Sequence, residues 1–159
     1  MYAPPFLPAA REYEALCRAF QWQIPAQYNI GVDVCDLWAE HEPRRAAVLE
    51  LRADGGIDEI SYGALRESSN RLANVLAAHG ISRGDRVAIL LPQGHIVAAT
   101  HIAIYKLGAI ALPFAMLFGV EAISYRLEDS GARALITNAQ GWAKLAAVRE
   151  RPDALKCVL

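Results

Sequence analysis

The sequence predicts an α/β domain in three layers, with a mostly parallel sheet, helices on both faces and a β-hairpin near the N-terminus. Short runs that are apolar on both faces alternate with segments of helical period, as expected for strands buried between helices. Glycine or proline follows most of the helical segments and marks their ends. Two further apolar-bearing runs flank Asp54-Gly55-Gly56, a sequence typical of a hairpin turn.

The predicted elements follow one another without an internal repeat or a low-complexity linker. Ser61 is suited to cap one helix, and Gly80 supplies the left-handed residue that ends it. In chain order, the predicted elements are a helix over 10–20, a short helix over 34–41, hairpin strands over 46–51 and 57–62, the helix between Ser61 and Gly80, a strand over 86–91, a helix over 96–107, a strand over 110–114, a helix over 121–128, a strand over 134–137, a helix over 142–149 and a strand over 155–159. At least four strands should therefore form one parallel sheet, joined by right-handed crossovers.

Two regions are expected along the chain. Residues 1–30 are predicted to pack as an N-terminal arm, and residues 31–159 form the α/β body. The last four residues read as the opening of a core strand, without a polar tail or a cap. We therefore expect the body to be a truncated part of a larger domain.

The composition excludes several classes of protein. Among 159 residues, 16 are basic and 17 acidic, and no cluster of Lys and Arg predicts nucleic-acid binding. Cys17, Cys35 and Cys157 lack the spacing of a disulfide framework or a zinc site and are expected to be free thiols. The apolar stretch Ile96–Leu117 is long enough for a membrane span, but Gly108 divides it, so we interpret it as a buried helix followed by a strand. No secretory signal is recognised, and the predicted location is the cytoplasm.

The residues by themselves name no reaction. Neither of the common glycine-rich phosphate loops is present. His41, His79, His95 and His101 lack the spacing of metal ligands, so each is interpreted as a surface histidine or one satisfied by a neighbour. No catalytic residue and no metal site is predicted.

Four segments in series carry a resemblance to a known family. They are Ile60–Leu65, close to a motif often written Thr-Tyr-x-Glu-Leu but with Ser for Thr and Ala for Glu, and then Gly80–Ile89, Lys106–Pro113 and Leu127–Thr137. In this order and spacing they resemble the start of the adenylate-forming (AMP-binding) enzymes, which include acyl-CoA synthetases, luciferases and peptide-synthetase adenylation domains. The opening Tyr28–Trp38 looks most like acyl-CoA or aryl-CoA synthetases, and within the family the chain is identified with the acetyl-CoA synthetase-like or aryl-CoA ligase enzymes.

The resemblance implies a parent enzyme that converts a small carboxylic acid, ATP and CoA into acyl-CoA, AMP and pyrophosphate, with Mg²⁺ on the phosphates. The family's phosphate loop and C-terminal lysine have no counterpart in this sequence, so the chain alone is expected to be inactive and to bind no cofactor strongly. In some relatives, residues just after the strand at 134–137 contact the CoA phosphates. The arginines expected there are missing, so Trp142 and Lys144 are the candidate CoA-binding residues that would substitute for them. The alternative is a helix whose tryptophan packs and whose lysine is solvated.

Partners and alternatives follow from the same resemblance. The expected partners are the remainder of the synthetase and, through an exposed sheet edge, further copies of the chain. Two alternatives stay open. In the first, the parent is a peptide-synthetase-type adenylating enzyme, and a carrier domain following the missing part would distinguish it from an acyl-CoA synthetase. In the second, the chain is a non-catalytic α/β module that self-associates.

Overall fold

The computed structural model describes residues 8–22, 25–148 and 151–159. The helices of this part of the chain are α1 (Tyr13–Ala19), α2 (Leu37–His41, preceded by a π-helical turn over Val32–Asp36), α3 (Tyr62–Ala78), α4 (His95–Lys106), α5 (Val120–Ser130) and α6 (Ala139–Ala146). The strands are β1 (Ala46–Leu51), β2 (Ile57–Ser61), β3 (Arg86–Leu90), β4 (Ile110–Pro113), β5 (Ala134–Thr137) and β6 (Cys157–Val158).

Four of the strands form a parallel sheet in the order β4-β3-β5-β6. After β3 the chain adds β4 on one side, then crosses to place β5 and β6 on the other side. The direction of strand addition therefore reverses between β3 and β5. The predicted parallel sheet of at least four strands is confirmed.

Two hydrophobic clusters cover the two faces of this sheet. Val87 and Ile89 of β3 point to the face covered by α3 and α4, where Leu76 and Ile104 are fully buried. The intervening residues of β3 point to the other face, where the core includes Ile123 of α5 and Leu145 of α6. Because side chains alternate along a strand, a strand that is apolar at every position fills both clusters. The predicted three layers are confirmed.

The hairpin packs outside the α3–α4 layer. Strands β1 and β2 pair antiparallel, and Val48 stands opposite Ile60. Both pack against a cluster that contains Leu65 of α3 and Ile102 of α4. The opposite face of the hairpin carries exposed side chains, among them Leu51.

The sequence signals at the ends of α3 act as predicted. The Ser61 hydroxyl accepts from the N–H of Ala64 at 3.2 Å. At the other end Gly80 has φ +79°, and the N–H of Ile81 donates to the Leu76 carbonyl at 3.0 Å. Both ends of the helix thus have their free backbone groups satisfied.

Several details differ from the prediction. Helix α6 begins at Ala139 rather than 142, because the Asn138 side chain accepts from the N–H of Gly141 at 3.0 Å and caps it. The final strand is limited to Cys157–Val158, although Leu159 still exchanges backbone bonds with β5. Helix α1 has no buried residue, so its predicted apolar face is not covered by the described part of the chain.

The long apolar stretch divides as expected into α4 and β4. Within residues 8–22, 25–148 and 151–159, no helix has the length and apolar character needed to cross a bilayer. The three cysteines are free thiols.

Candidate functional site

The candidate site lies at the carboxyl ends of β3 and β5, where the direction of strand addition reverses. In open α/β sheets, ligands bind in the crevice at such a switch point. Here the loop Leu91–Gly94 follows β3, Thr137 ends β5, and Asn138 follows it. The Thr137 hydroxyl donates to the Leu90 carbonyl at 2.8 Å, so the two strand ends are joined at this edge.

A close approach between α6 and the sheet defines the wall of this crevice. Gly141 is buried, and a Cβ at this position would lie closer than 3.0 Å to the Thr137 hydroxyl and at 3.0 Å from Leu90 Cδ2. The first turn of α6 therefore packs directly on β3 and β5. Trp142, the next residue, lies in the same turn and lines a cleft beside β6.

Trp142 lies in a shallow cleft that also contains cationic side chains. Its ring is 44% exposed, and the Arg151 guanidinium lies 5.0 Å from the ring centroid. Lys156 and Cys157 line the same cleft, which has a volume of about 240 Å³. An aromatic face with an arginine over it is suited to bind a planar base and its phosphate groups.

Lys144, the second residue proposed from the sequence, has its ammonium group engaged with the protein. Nζ donates to the backbone carbonyls of Met116 and Phe118, the latter at 3.0 Å. Both carbonyls belong to the loop between β4 and α5, and Leu117 between them is 96% exposed. Lys144 thus fixes this loop from α6.

Ionic contacts near the amino ends of the strands are structural. Asp85 is buried and accepts from the Ser82 N–H at 2.8 Å and from Arg133 at 3.1 and 3.2 Å. The Ser82 N–H, followed by the side chains of Arg133 and Ser82, holds the pKa of Asp85 below its ordinary value, although partial desolvation opposes the shift. Arg86 donates to the last carbonyls of α5, at Ser130 and Gly131, both at 2.8 Å. Asp85 and Arg86, at the start of β3, therefore link this strand to α5 and to Arg133, which precedes β5.

Lys106, at the end of α4, ties three elements together. Its ammonium lies 2.6 Å from Asp36, 3.0 Å from the Ser69 hydroxyl and 2.6 Å from Asn70 Oδ1. Asp36 Oδ1 is buried. It lies within ion-pair distance of the Lys106 ammonium, but the contact lacks the angles of a hydrogen bond. Burial raises the pKa of the neighbouring Cys35 thiol. This lysine is in the middle of the α2–α3–α4 packing, away from the crevice.

The histidines are satisfied by neighbours, as expected. His95 pairs with Glu50 at 2.5 Å, and His101 contacts the Tyr105 hydroxyl at 3.1 Å. Burial lowers the pKa of His101. In the described part of the chain, no group of three His, Cys, Asp or Glu side chains is placed to hold a metal ion.

Comparison with known proteins agrees with this geometry. The family model described as "AMP-binding enzyme" matches residues 35–159. The chain belongs to this family of adenylate-forming acyl- and acetyl-CoA synthetases.

Individual relatives cover most of this chain but only part of their own length. It is 33% identical to the human mitochondrial acetyl-coenzyme A synthetase 2-like protein over 121 residues, which are 76% of this chain and 18% of the relative. It is also 33% identical to the long-chain-fatty-acid–CoA ligase FadD13 of Mycobacterium tuberculosis, over 70% of this chain and 22% of the ligase. The chain thus spans about a fifth of the length of these curated relatives.

Solved structures give the same result. An acyl-CoA synthetase from Brucella canis superposes with a TM-score of 0.79 and 32% identity, covering 88% of this chain and 27% of the synthetase. The N-terminal domain of FACL13 from Mycobacterium tuberculosis gives a TM-score of 0.75 and 29% identity, covering 84% of this chain and 34% of that domain. The predicted fold class and the resemblance to the synthetases are confirmed.

The sequence singled out Trp142 and Lys144 as candidates but gave no indication of three contacts that the structure shows around them. Arg151 over Trp142, Lys156 in the same cleft and the Lys144 bonds to the β4–α5 loop depend on residues brought together by the fold. Asn138 could have indicated the start of α6, because asparagine is a favoured N-cap residue and its side chain accepts from the Gly141 N–H.

Proposed function

We propose that this chain is the N-terminal α/β part of an AMP-forming acid–CoA ligase. In the overall reaction, a carboxylate oxygen attacks the α-phosphate of ATP and pyrophosphate leaves. The CoA sulfur then bonds to the acyl carbon of the adenylate, and AMP leaves. Family membership and similarity to both an acetyl-CoA synthetase and a fatty-acid–CoA ligase support this reaction. The same relatives favour CoA as acceptor over the carrier-domain thiol of a peptide-synthetase-type enzyme.

The part that this chain plays is to contribute a face for CoA. The observation that carries this proposal is the exposed Trp142 ring with Arg151 at 5.0 Å, in a cleft that Lys156 also lines. CoA has an adenine ring, which stacks on an aromatic face, and several phosphates, which pair with guanidinium and ammonium groups. Trp142 belongs to the helix that directly follows β5, the segment from which the resemblance implies a CoA contact.

Lys144 is retained in the proposal as the smaller contributor. Its ammonium is bonded to the carbonyls of Met116 and Phe118, so it reaches a CoA phosphate only if those bonds are released. Its positive charge nevertheless lies on the same helix as Trp142. We therefore expect its replacement to weaken CoA binding less than replacement of Trp142.

ATP, Mg²⁺ and the carboxylic acid are assigned to the remainder of the synthetase. The described residues offer neither a glycine-rich phosphate cradle nor a cluster of metal-binding carboxylates that would fit them. We accordingly propose that the isolated chain catalyses no step of the reaction. For location we propose the cytoplasm, although one of the relatives named above is mitochondrial.

Self-association is proposed as a property of the isolated chain. Strands β4 and β6 are the two edges of the parallel sheet, and Ile110 of β4 is 48% exposed. Exposed edges pair with strands of other chains. Light scattering at micromolar concentration should therefore give a mass above that of the monomer, and a monomer throughout that range would contradict the proposal.

Ligand-observed NMR titration with CoA tests the CoA face. We expect a dissociation constant on the order of millimolar, which corresponds to about −4 kcal/mol. Trp142→Leu and Arg151→Gln should weaken binding at least about fivefold, since each removes a contact worth roughly 1 kcal/mol. Lys144→Gln should change it less than about twofold.

The matched control is Trp22→Leu, which replaces a tryptophan that is 80% exposed and lies outside the cleft. It should bind CoA like the unmodified protein. Equal affinity of the Trp142→Leu and Trp22→Leu variants would refute the CoA face without touching the family assignment.

A further inference from the structure

The two edges of the parallel sheet differ in the backbone groups that they offer to another strand. Directly after β6, both backbone groups of Leu159 are bonded to β5, because the N–H donates to the Leu135 carbonyl at 2.9 Å and the carbonyl accepts from the Thr137 N–H at 2.8 Å. Since backbone groups alternate in direction along a strand, the N–H and the carbonyl of Val158 point away from β5. The outer side of β6 therefore offers a donor and an acceptor on one residue.

A proline interrupts the other edge of the sheet, at β4. The N–H of Ile110 donates to the Asp85 carbonyl at 2.8 Å, and the N–H groups of alternate residues along β4 point the same way, toward β3. Ala111 and Pro113 therefore face outward, and Pro113 has no N–H to donate. Because proline on an edge strand opposes pairing with another chain, β6 is the edge better suited to it.

The outward groups of Val158 are complementary to themselves. In an antiparallel pair of two β6 strands related by a two-fold axis, this valine stands opposite the same valine of a second copy, and each N–H donates to the other carbonyl. A contact that uses the same surface on both copies closes at two copies. Since Pro113 opposes pairing at the other edge, the association should stop at a dimer.

The cationic side chains beside this edge are engaged within their own chain. The Lys156 ammonium donates to the Asp153 carbonyl at 2.7 Å, and the Arg151 guanidinium lies over the Trp142 ring. Edge lysines often oppose pairing between chains, so the position of Lys156 bears directly on this edge. Pairing at Val158 uses backbone groups that neither cation occupies.

The same edge borders the cleft that contains Trp142. Lys156, Cys157 and Val158 line this cleft, together with Trp142 and Arg151. A strand that pairs with the outer side of β6 lies against the first three of these residues. A second copy at this edge and CoA in the cleft therefore compete for the same surface.

We propose that two copies of this chain pair through β6 and that this pairing excludes CoA from the cleft beside it. The exclusion rests on the proposed CoA face, whereas the choice of edge rests on the backbone groups of β6 and β4. Because coupling between two binding events is reciprocal, CoA weakens the dimer by the same factor by which the dimer weakens CoA binding.

Sedimentation velocity over the micromolar range tests the choice of edge. Val158→Pro removes the outward N–H without removing a bond to β5, so it should raise the dimer dissociation constant at least about tenfold through the loss of two hydrogen bonds. Ala111→Pro removes an outward N–H from β4 and is the matched control that should leave the dimer unchanged. Far-ultraviolet circular dichroism checks that both variants are folded. A monomeric unmodified protein, or a dimer that Val158→Pro leaves intact, would overturn the edge assignment.

A cross-linking test avoids proline altogether. In a background that carries Cys17→Ser and Cys157→Ser, Val158→Cys should form a disulfide-linked dimer with oxidised glutathione, because the Cα atoms of a hydrogen-bonded antiparallel pair lie about 5.5 Å apart. Ala111→Cys in the same background should stay uncross-linked. The reverse pattern would assign the association to β4 and overturn the proposal.

Adding CoA to the dimer tests the exclusion. CoA at about ten times its dissociation constant should raise the apparent dimer dissociation constant about 100-fold, since both copies must be free of CoA to pair. Sodium chloride at equal ionic strength should not have this effect, and Trp142→Leu should keep the dimer but lose the response to CoA. A dimer that stays intact while NMR shows CoA bound would overturn the exclusion alone. Failure of CoA to bind at any protein concentration would overturn the exclusion together with the CoA face, and the edge assignment would be decided by Val158→Pro.

Discussion

Gly141→Ala is the substitution for which helix propensity and the structure make opposite predictions. Gly141 lies in the first turn of α6, and alanine is favoured over glycine within a helix by about 0.5–1 kcal/mol. Propensity alone therefore predicts that the variant is more stable.

The surroundings of Gly141 reverse this sign. The new Cβ would overlap the Thr137 hydroxyl and touch Leu90 Cδ2, and overpacking of this kind costs about 1–3 kcal/mol. If the hydroxyl moves aside, its 2.8 Å bond to the Leu90 carbonyl is lost, which costs about 1 kcal/mol. After the helix gain is subtracted, the net loss is about 1–3 kcal/mol.

Thermal unfolding followed by far-ultraviolet circular dichroism measures this loss. A decrease of about 1–3 kcal/mol lowers the melting temperature by roughly 2–12 °C in a chain of this size. Thr137→Ala and the double variant complete a mutant cycle, in which removing the hydroxyl should recover part of the loss caused by Gly141→Ala. A Gly141→Ala variant as stable as the unmodified protein, or more so, would refute the close packing of α6 on the strand ends.

Three further predictions concern the remaining contacts and ligands. Asp85→Asn should lower the free energy of unfolding by about 1–3 kcal/mol at pH 7. Because the pKa of Asp85 is lowered in the folded protein, urea titrations should show this difference shrinking as the pH falls below about 4. A difference that stays constant with pH would contradict the role assigned to Asp85. Lys106→Met should cost about 2–4 kcal/mol, because it leaves Asp36 without its cation, whereas Lys156→Met at the surface should change stability by less than about 0.5 kcal/mol in the same titration. ATP at millimolar concentration should stabilise the chain by less than about 0.5 kcal/mol, since the cleft around Trp142 offers adenine only a millimolar site. A dedicated ATP site filled at 100 times its dissociation constant would add about 2.7 kcal/mol, and a stabilisation of that size would contradict the assignment of ATP to the remainder of the synthetase.

Local signals were sufficient to predict the order of elements. The Asp54-Gly55-Gly56 turn, the Ser61 cap and the Gly80 stop all act within a few residues of the chain, and the structure confirms each of them. The alternation of apolar strands with helices likewise predicted the layered sheet, because the burial of a strand on both faces is recorded in its own sequence.

Long-range contacts could not be predicted in the same way. Glu50 caps α4 from 45 residues away, and nothing in the sequence near Gly94 identifies this partner. The Lys106 contacts with Ser69 and Asn70 likewise span 37 and 36 residues. Because these contacts depend on how the helices and strands pack, a single sequence shows which polar residues are present but not which of them contact each other.

The candidate site combines residues that the sequence identified with contacts that it could not predict. The resemblance to the synthetases directed attention to Trp142 and Lys144, and both lie on α6. It could not reveal that Lys144 is bonded to the β4–α5 loop or that Arg151 covers the Trp142 ring. Such contacts depend on side-chain geometry between elements, which motif spacing does not encode.

The most direct test of the proposed role is a map of amide chemical shifts in the ¹⁵N-labelled chain during titration with CoA. The account predicts that shifts concentrate in residues 138–144 and 151–158, grow with CoA concentration and disappear in the Trp142→Leu variant. The cleft around Trp142, Arg151 and Lys156 links these two segments. Shifts confined to other parts of the chain, or none at CoA concentrations up to about ten times the millimolar dissociation constant, would contradict it.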